Sequence, residues 1–251
     1  MQIGRLPKTT TARLLMFSVF LLPGEIPPGM SNHMPSSEAG VGAYQANGRS
    51  KSSKMYLLID HYDSFVYNLK AYFEVLNCTV QVVYSEQATP DYLAHLENLE
   101  GIIFSPGPKR PADCAHSVAL LRAYGRRMPM LGVCLGHQLI GYTFGAEIVK
   151  GLRPMHGKVT RINNYRTGIL AGLPAAFDVT RYHSLVIAED SLPNCLQIDA
   201  RAEDGAIMAI SHKQLPIFGV QFHPEAVLSQ YGYAVLNNFV ASSRERNKNN
   251  G

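Results

Sequence analysis

The chain has 251 residues, 46% hydrophobic and 17% charged, with mean hydropathy -0.04, a composition suited to one globular domain with a real core rather than a membrane or low-complexity protein. Cys78, Cys114, Cys134 and Cys195 are too scattered for a disulfide framework and form no CxxC pair or zinc-like Cys/His cluster, so a reduced, cytoplasmic protein without a metal is expected. The formal charge of +4 arises in residues 1–54, where six Lys/Arg face only Glu25 and Glu38; the remainder is balanced, with 17 basic and 17 acidic residues, and offers no global charge for nucleic acid.

Residues 1–54 carry Pro, Gly, Ser and Asn punctuation and one apolar run, Leu14 to Leu22, too short to span a bilayer. Arg5, Lys8 and Arg13 ahead of it have the layout of a secretory or transit signal, but the Pro-rich stretch that follows offers a poor cleavage site. The reading adopted is a disordered leader, or an upstream start with Met55 as the natural initiator. From Met55 apolar strands alternate with helical stretches. Met55 to Asp60 reads as a buried parallel strand, Phe65 to Leu76 as a helix, Thr79 to Tyr84 as a strand and Asp91 to Leu99 as a helix. Gly101 to Phe104 is a third strand, Ala115 to Tyr124 a helix and Met130 to Val133 a fourth strand. This alternation predicts an α/β fold: a doubly wound, mostly parallel, flavodoxin-like sheet with helices on both faces. Strands are then expected at Gly157 to Ile162, Phe177 to Arg181, Leu196 to Ala202, Ala206 to Ile210 and Ile217 to Val220, before a closing helix from Tyr231 to Val240. The folded domain is thus expected over residues 55–241, with a frayed, solvated tail over 242–251.

In such a sheet chemistry belongs at the carboxyl ends of the strands. Gly132-Val-Cys-Leu-Gly136 runs from strand to helix with a thiol at the bend, the layout of a nucleophile elbow with Cys134 in place of Ser. So tight a turn leaves no room for Cβ atoms two residues before and after, and the following helix aims its N-terminus at the sulfur, favouring thiolate. The Leu135 amide at the helix start points where an oxyanion would form. The plainer alternative is a small buried thiol. A base is offered by Gln221-Phe-His-Pro-Glu225: His223 and Glu225, two apart in an extended segment, project to one side, so the carboxylate can orient the imidazole. In Ser105-Pro-Gly-Pro108 the two prolines have no amide N–H, and Gly107 between them can present its own to an oxyanion; Gln138 follows Cys134 by one helical turn, placed to bind an amide.

The blocks GVCLGHQ, SPGP, MHGK, RYHSL and GVQFHPE, in this order, resemble the class I (triad) glutamine amidotransferases over roughly Met55 to Val240. LLIDHYDSFVYNL with MHGK and RYHSL resembles, more narrowly, the glutaminase subunits of anthranilate synthase and aminodeoxychorismate synthase. The resemblance implies that Cys134 attacks the amide of L-glutamine, with His223 as general base and acid and Glu225 orienting it. Gly107 and Leu135 would form the oxyanion hole; Gly107, Pro108, Lys109, Gln138 and the backbone of Ser184 and Leu185 would hold glutamine. It further implies ammonia delivery to a chorismate-binding synthase component I chain in a hetero-oligomer, with no cofactor here and Mg2+ only in that partner. A free-standing glutaminase would waste glutamine, so a partner that switches it on is expected.

Several positions depart from the family pattern. Lys109 stands where Gly or Cys follows Pro-Gly-Pro, and strains the hole if that position needs positive φ. His61 replaces Asn in a loop the family uses near its partner, and Ala226 follows HPE in place of Ser; His156 and His183 match the family as supporting or interface residues. Two other readings stand beside the first: a pseudoglutaminase kept for binding, for which Lys109 speaks, and a Cys-His-Glu hydrolase of another amide. Glutamate release with and without a synthase chain separates them.

Overall fold

The structure is a computed structural model that describes residues 54–249; the leader features up to residue 53 and residues 250–251 lie outside the described residues. Strand β1 (Met55–Asp60) starts the sheet, and its alternation sends Tyr56 and Leu58 into one core and Leu57 and Ile59 into the other. Helix α1 (Val66–Val75) leads to β2 (Thr79–Tyr84), paired parallel with β1. Helix α2 (Pro90–Ala94) opens with Pro90 at its first turn and Thr89 as cap, whose hydroxyl accepts the Tyr92 N–H at 3.1 Å. Next come β3 (Leu99–Phe104), α3 (Ala115–Tyr124), β4 (Met130–Val133) and α4 (Leu135–Phe144). The second half supplies β5 (Ile148–Lys150), β6 (Lys158–Asn164), β7 (Ala176–Arg181), β8 (Leu185–Ile187), β9 (Leu196–Ala202), β10 (Ile207–His212) and β11 (Ile217–Val220), then α5 (Gly232–Asn249).

Nine strands form one sheet in the order β2-β1-β3-β4-β11-β10-β9-β6-β7, while β5 and β8 pair separately. From β2 to β11 all pairings are parallel; from β11 outward they are antiparallel. The strand-rich second half therefore extends the α/β sheet rather than building another domain. Helices α1 and α5 cover one face, where Phe73, Phe222 and Phe239 pack, and α2, α3 and α4 cover the other, around Phe104, Leu121 and Leu139. This layering puts the ends of β3, β4 and β11 side by side.

Two expectations change, and two strands appear that no expectation covered. The helix expected over Asp91 to Leu99 stops at Ala94, because Asn98 takes a left-handed turn (φ 59°) and Leu99 already pairs with Met55 in β3. Strands β5 and β8 are only three residues each, too short for a periodicity signal. The tail expected to fray from Ser242 is helical to Asn249. Ser243 is fully buried and bonds Tyr56 through its hydroxyl, and Asn247 Nδ2 donates to the Glu100 carbonyl at 3.1 Å. Polar anchors hold this last stretch, so hydrophobic spacing gives no sign of it. All four cysteines are free. Among the described residues, no helix is long and apolar enough to cross a membrane.

Candidate active site

Cys134 occupies the junction of β4 and α4 at φ 53°, ψ -99°, a conformation L residues rarely adopt. Its N–H donates to the Val220 carbonyl at 2.8 Å, tying the bend to β11. The flanking glycines are sterically required. A Cβ on Gly132 would lie 2.2 Å from the Gly136 carbonyl oxygen, and one on Gly136 would lie 2.3 Å from that of Phe104. Leu135, as the first helical residue, keeps an amide N–H without an intrahelical partner, and it lines the same pocket as the thiol. Gln221 Nε2 lies 3.6 Å from the sulfur as a donor.

The His-Pro-Glu segment comes from the neighbouring strand. Because β11 runs parallel to β4 with Val220 opposite Val133, the segment leaving β11 emerges beside the elbow. His223 and Glu225 are both buried, with Nδ1 and Oε1 2.8 Å apart. The rings of Tyr182 and Phe65 stand edge-on to the imidazole at 5.0 and 6.0 Å, and the His223 N–H donates to the Thr180 carbonyl at 3.0 Å. Burial opposes protonation of His223, yet Cys134 and Glu225 together hold its pKa well above the ordinary imidazole value. Nε2, the other ring nitrogen, is buried without a conventional hydrogen bond among the described residues.

A pocket of about 220 Å³ joins Cys134 and Leu135 with Gly107, Pro108, Lys109, Gln138, Ser184 and Leu185. It is smaller than the roughly 300–1,000 Å³ of drug-sized sites and suits a single amino acid. Every residue assigned to glutamine in the sequence lines it, together with Tyr182 and His183. Gln138 Nε2 donates to the Leu185 carbonyl at 3.0 Å and to Gln221 Oε1 at 3.1 Å. Both amide hydrogens are thus used inside the protein, and the carbonyl oxygen is what Gln138 has left for a ligand.

Two departures take on a different meaning in the fold. Lys109 is not among the positive-φ residues, so the strain anticipated there is absent. Its ammonium pairs with Glu86 at 2.6 Å and lies 5.2 Å from the centre of the Tyr62 ring. His61 is fully buried against Ser105 and Ser117 and cannot itself meet a partner; the exposed neighbour on that loop is Tyr62. His183 accepts from Arg181 Nε at Nε2 and contacts the Leu185 carbonyl through Nδ1, both at 3.0 Å. With both nitrogens engaged it is a support rather than a second base. His156 is exposed and stands edge-on to Tyr182 at 5.7 Å.

Burial, aided by Lys109 for His61 and by Arg181 for His183, lowers the pKa of His61 to about 4, of His137 to about 3 and of His183 to about 4. The consequence is acid sensitivity. Above the unfolded value of about 6.5 these histidines are neutral in both states. As pH falls from there towards 4, the unfolded chain binds protons that the native state refuses, so stability drops by up to about 4 kcal/mol per pH unit for three protons. His223, whose native pKa is raised, contributes fully below pH 6.5 and adds no slope in this window. The urea midpoint is therefore expected to fall markedly between about pH 7 and pH 5; an unchanged midpoint would refute this account.

A family model described as glutamine amidotransferase class-I matches residues 57–242, from within β1 to within α5. The chain belongs to the class-I glutamine amidotransferases. It is 45% identical over 191 residues to anthranilate synthase component 2 of Azospirillum brasilense, covering 76% of this chain and 97% of that protein. It is equally 45% identical over 192 residues to aminodeoxychorismate synthase component 2 of Serratia marcescens, covering 74% and 99%. The fold resembles a solved structure described as a GMP synthase subunit from Thermoplasma acidophilum, with TM-score 0.69 over 78% of this chain and 96% of that one; at 24% identity this likeness concerns the fold alone.

In this amidotransferase the sequence reading passed over Gln221, Tyr182 and Phe65. Gln221 and Tyr182 sit inside blocks already singled out, GVQFHPE and RYHSL. Only the packing of β4, β7 and β11 turns them towards the thiol and imidazole.

Proposed function

We propose that this amidotransferase is the cytoplasmic glutaminase subunit of a chorismate-aminating synthase, hydrolysing L-glutamine and passing ammonia to a component I chain. The observation that carries the chemistry is one buried constellation: Cys134 on a strained elbow, beside a His223–Glu225 pair at 2.8 Å, opening onto an amino-acid-sized pocket. The Cys134 proton passes to His223 Nε2 as the sulfur attacks the side-chain amide carbon. The oxygen gains the negative charge, opposite the amide N–H groups of Gly107 and Leu135. His223 returns the proton to the leaving nitrogen, the C–N bond breaks, and ammonia departs from a γ-glutamyl thioester. Water then attacks the thioester while His223 takes its proton; the C–S bond breaks, the sulfur is reprotonated and glutamate leaves. Glu225 holds the imidazole in one tautomer and favours its protonated form throughout.

Every step uses side chains or backbone of this chain, and none calls for a cofactor; Mg2+ belongs with the partner. Among the described residues no group of three or more His, Cys, Asp or Glu is placed to hold a metal. The two relatives above carry the names of anthranilate and aminodeoxychorismate synthase subunits at equal identity. The test is glutamate release by the purified chain, alone and with each kind of component I, reading anthranilate and aminodeoxychorismate as products. Strong stimulation by one partner, with its product, is expected and assigns the pathway. A folded chain that releases no glutamate with any partner would refute the reading.

A further inference from the structure

A buried polar chain lies behind the Ser105-Pro-Gly-Pro108 loop. Ser105 Oγ donates to the Pro106 carbonyl at 2.6 Å and accepts the His61 backbone N–H at 2.9 Å. His61 Nδ1 lies 3.2 Å from the same oxygen, and its Nε2 lies 2.8 Å from Ser117 Oγ. Ser105, His61 and Ser117 are all fully buried. One assignment satisfies every atom. Because the Ser105 proton is used on Pro106, Nδ1 must donate and Nε2 must accept from the Ser117 hydroxyl, which is the neutral imidazole with one donor and one acceptor.

The Pro106 carbonyl and the Gly107 N–H belong to the same planar peptide unit and point in opposite directions. Fixing the carbonyl therefore aims the amide. Neither proline has an N–H to substitute, and a unit turned over would face the pocket with an oxygen where an oxyanion needs a donor. His61 also stands close against the loop, since a Cβ on Gly107 would lie 2.6 Å from His61 Cβ and 2.7 Å from its carbonyl oxygen.

We propose that His61 and Ser105 are positioning residues for glutamine hydrolysis, which lock the Pro106–Gly107 peptide so that its N–H serves the oxyanion. This rests on the reading of Gly107 as an oxyanion donor. The experiment compares Ser105→Ala, His61→Leu and His61→Asn in the full chain, measuring kcat and KM for glutamate release with the stimulating component I. In parallel, the rate at which iodoacetamide alkylates Cys134 is measured, since alkylation needs the nucleophile and no oxyanion donor. Ser105→Ala and His61→Leu should lower kcat about 10- to 100-fold, short of the roughly 10²- to 10³-fold seen when a donor is deleted outright. KM and alkylation should stay within about threefold of wild type. His61→Asn, whose Nδ2 takes the place of the imidazole Nδ1 and can donate to Ser105, should keep kcat within about threefold. Should His61→Leu not fold, Ser105→Ala, which loses one oxygen, still decides. Unchanged kcat in Ser105→Ala, or alkylation falling in step with kcat, overturns the proposal. A wild-type chain that is alkylated at Cys134 yet releases no glutamate with any partner fails the glutaminase reading itself, and the proposal falls with it.

Discussion

Cys134→Ala is expected to reduce glutamate release by about 10⁴-fold or more, the scale on which removal of a triad nucleophile acts. Cys134→Ser should be nearly as severe: the hydroxyl fits the space, but it yields its proton to His223 far less readily than a thiol does. The change removes or exchanges one atom facing a pocket, so the thermal midpoint and association with component I, measured by gel filtration, should remain as in wild type. His223→Ala should match it in size, and Cys134→Ala with His223→Ala together should be no worse than either alone, because the two act as a unit. Glutamate release above about 1% of wild type in Cys134→Ala would remove the thiol from the mechanism.

Gly136→Ala is expected to destabilise the protein by more than about 3 kcal/mol, at or beyond the upper end of ordinary overpacking. Helix propensity alone argues the other way, since Ala in place of Gly inside a helix gains about 1 kcal/mol. The geometry decides the sign. A Cβ there would sit 2.3 Å from the Phe104 carbonyl oxygen and 2.9 Å from Phe104 Cβ, and that carbonyl belongs to β3, a strand packed on both faces. Relief requires the start of α4 to move away from β3, carrying Cys134 and the Leu135 amide with it. A displacement of about 1 Å is enough to lower the rate about 10²-fold in whatever fraction folds. Gly145→Ala is the control: at φ 108° it is strained by about 1–2 kcal/mol, yet nothing lies within 4 Å of its Cβ, so activity should survive. Urea unfolding with parallel kinetics measures both; a Gly136→Ala protein as stable and active as wild type would contradict the steric account.

The parallel half of the sheet was legible because strands buried on both faces are continuous apolar runs, and β1 and β4 begin and end where that pattern predicts; the half-exposed edge strand β2 was legible instead from its β-branched and aromatic residues. The elbow was legible for a similar local reason: Gly-x-Cys-x-Gly between a strand and a helix has few other uses. Elements without an apolar period were not legible. Strands β5 and β8 are too short, and the last turns of α5 are held by Ser243 and Asn247 through hydrogen bonds to Tyr56 and Glu100, far away along the chain.

His61 shows where the boundary falls. In the sequence it is a substitution in a loop, read as a matter of partner contact; in the fold it is buried and bonded to two serines behind Gly107. Local chain chemistry by itself determined the α/β class, the thiol at the elbow, the His-Pro-Glu segment and the family, since each depends on residues close together in the sequence. The tertiary structure alone decided that His223 meets Cys134 across β4 and β11, that Gln221 and Tyr182 join them, and that Lys109 is unstrained. Those relations span up to 89 residues between Cys134 and His223. They exist only because strand register and layer packing close the distance, and no local pattern encodes that closure.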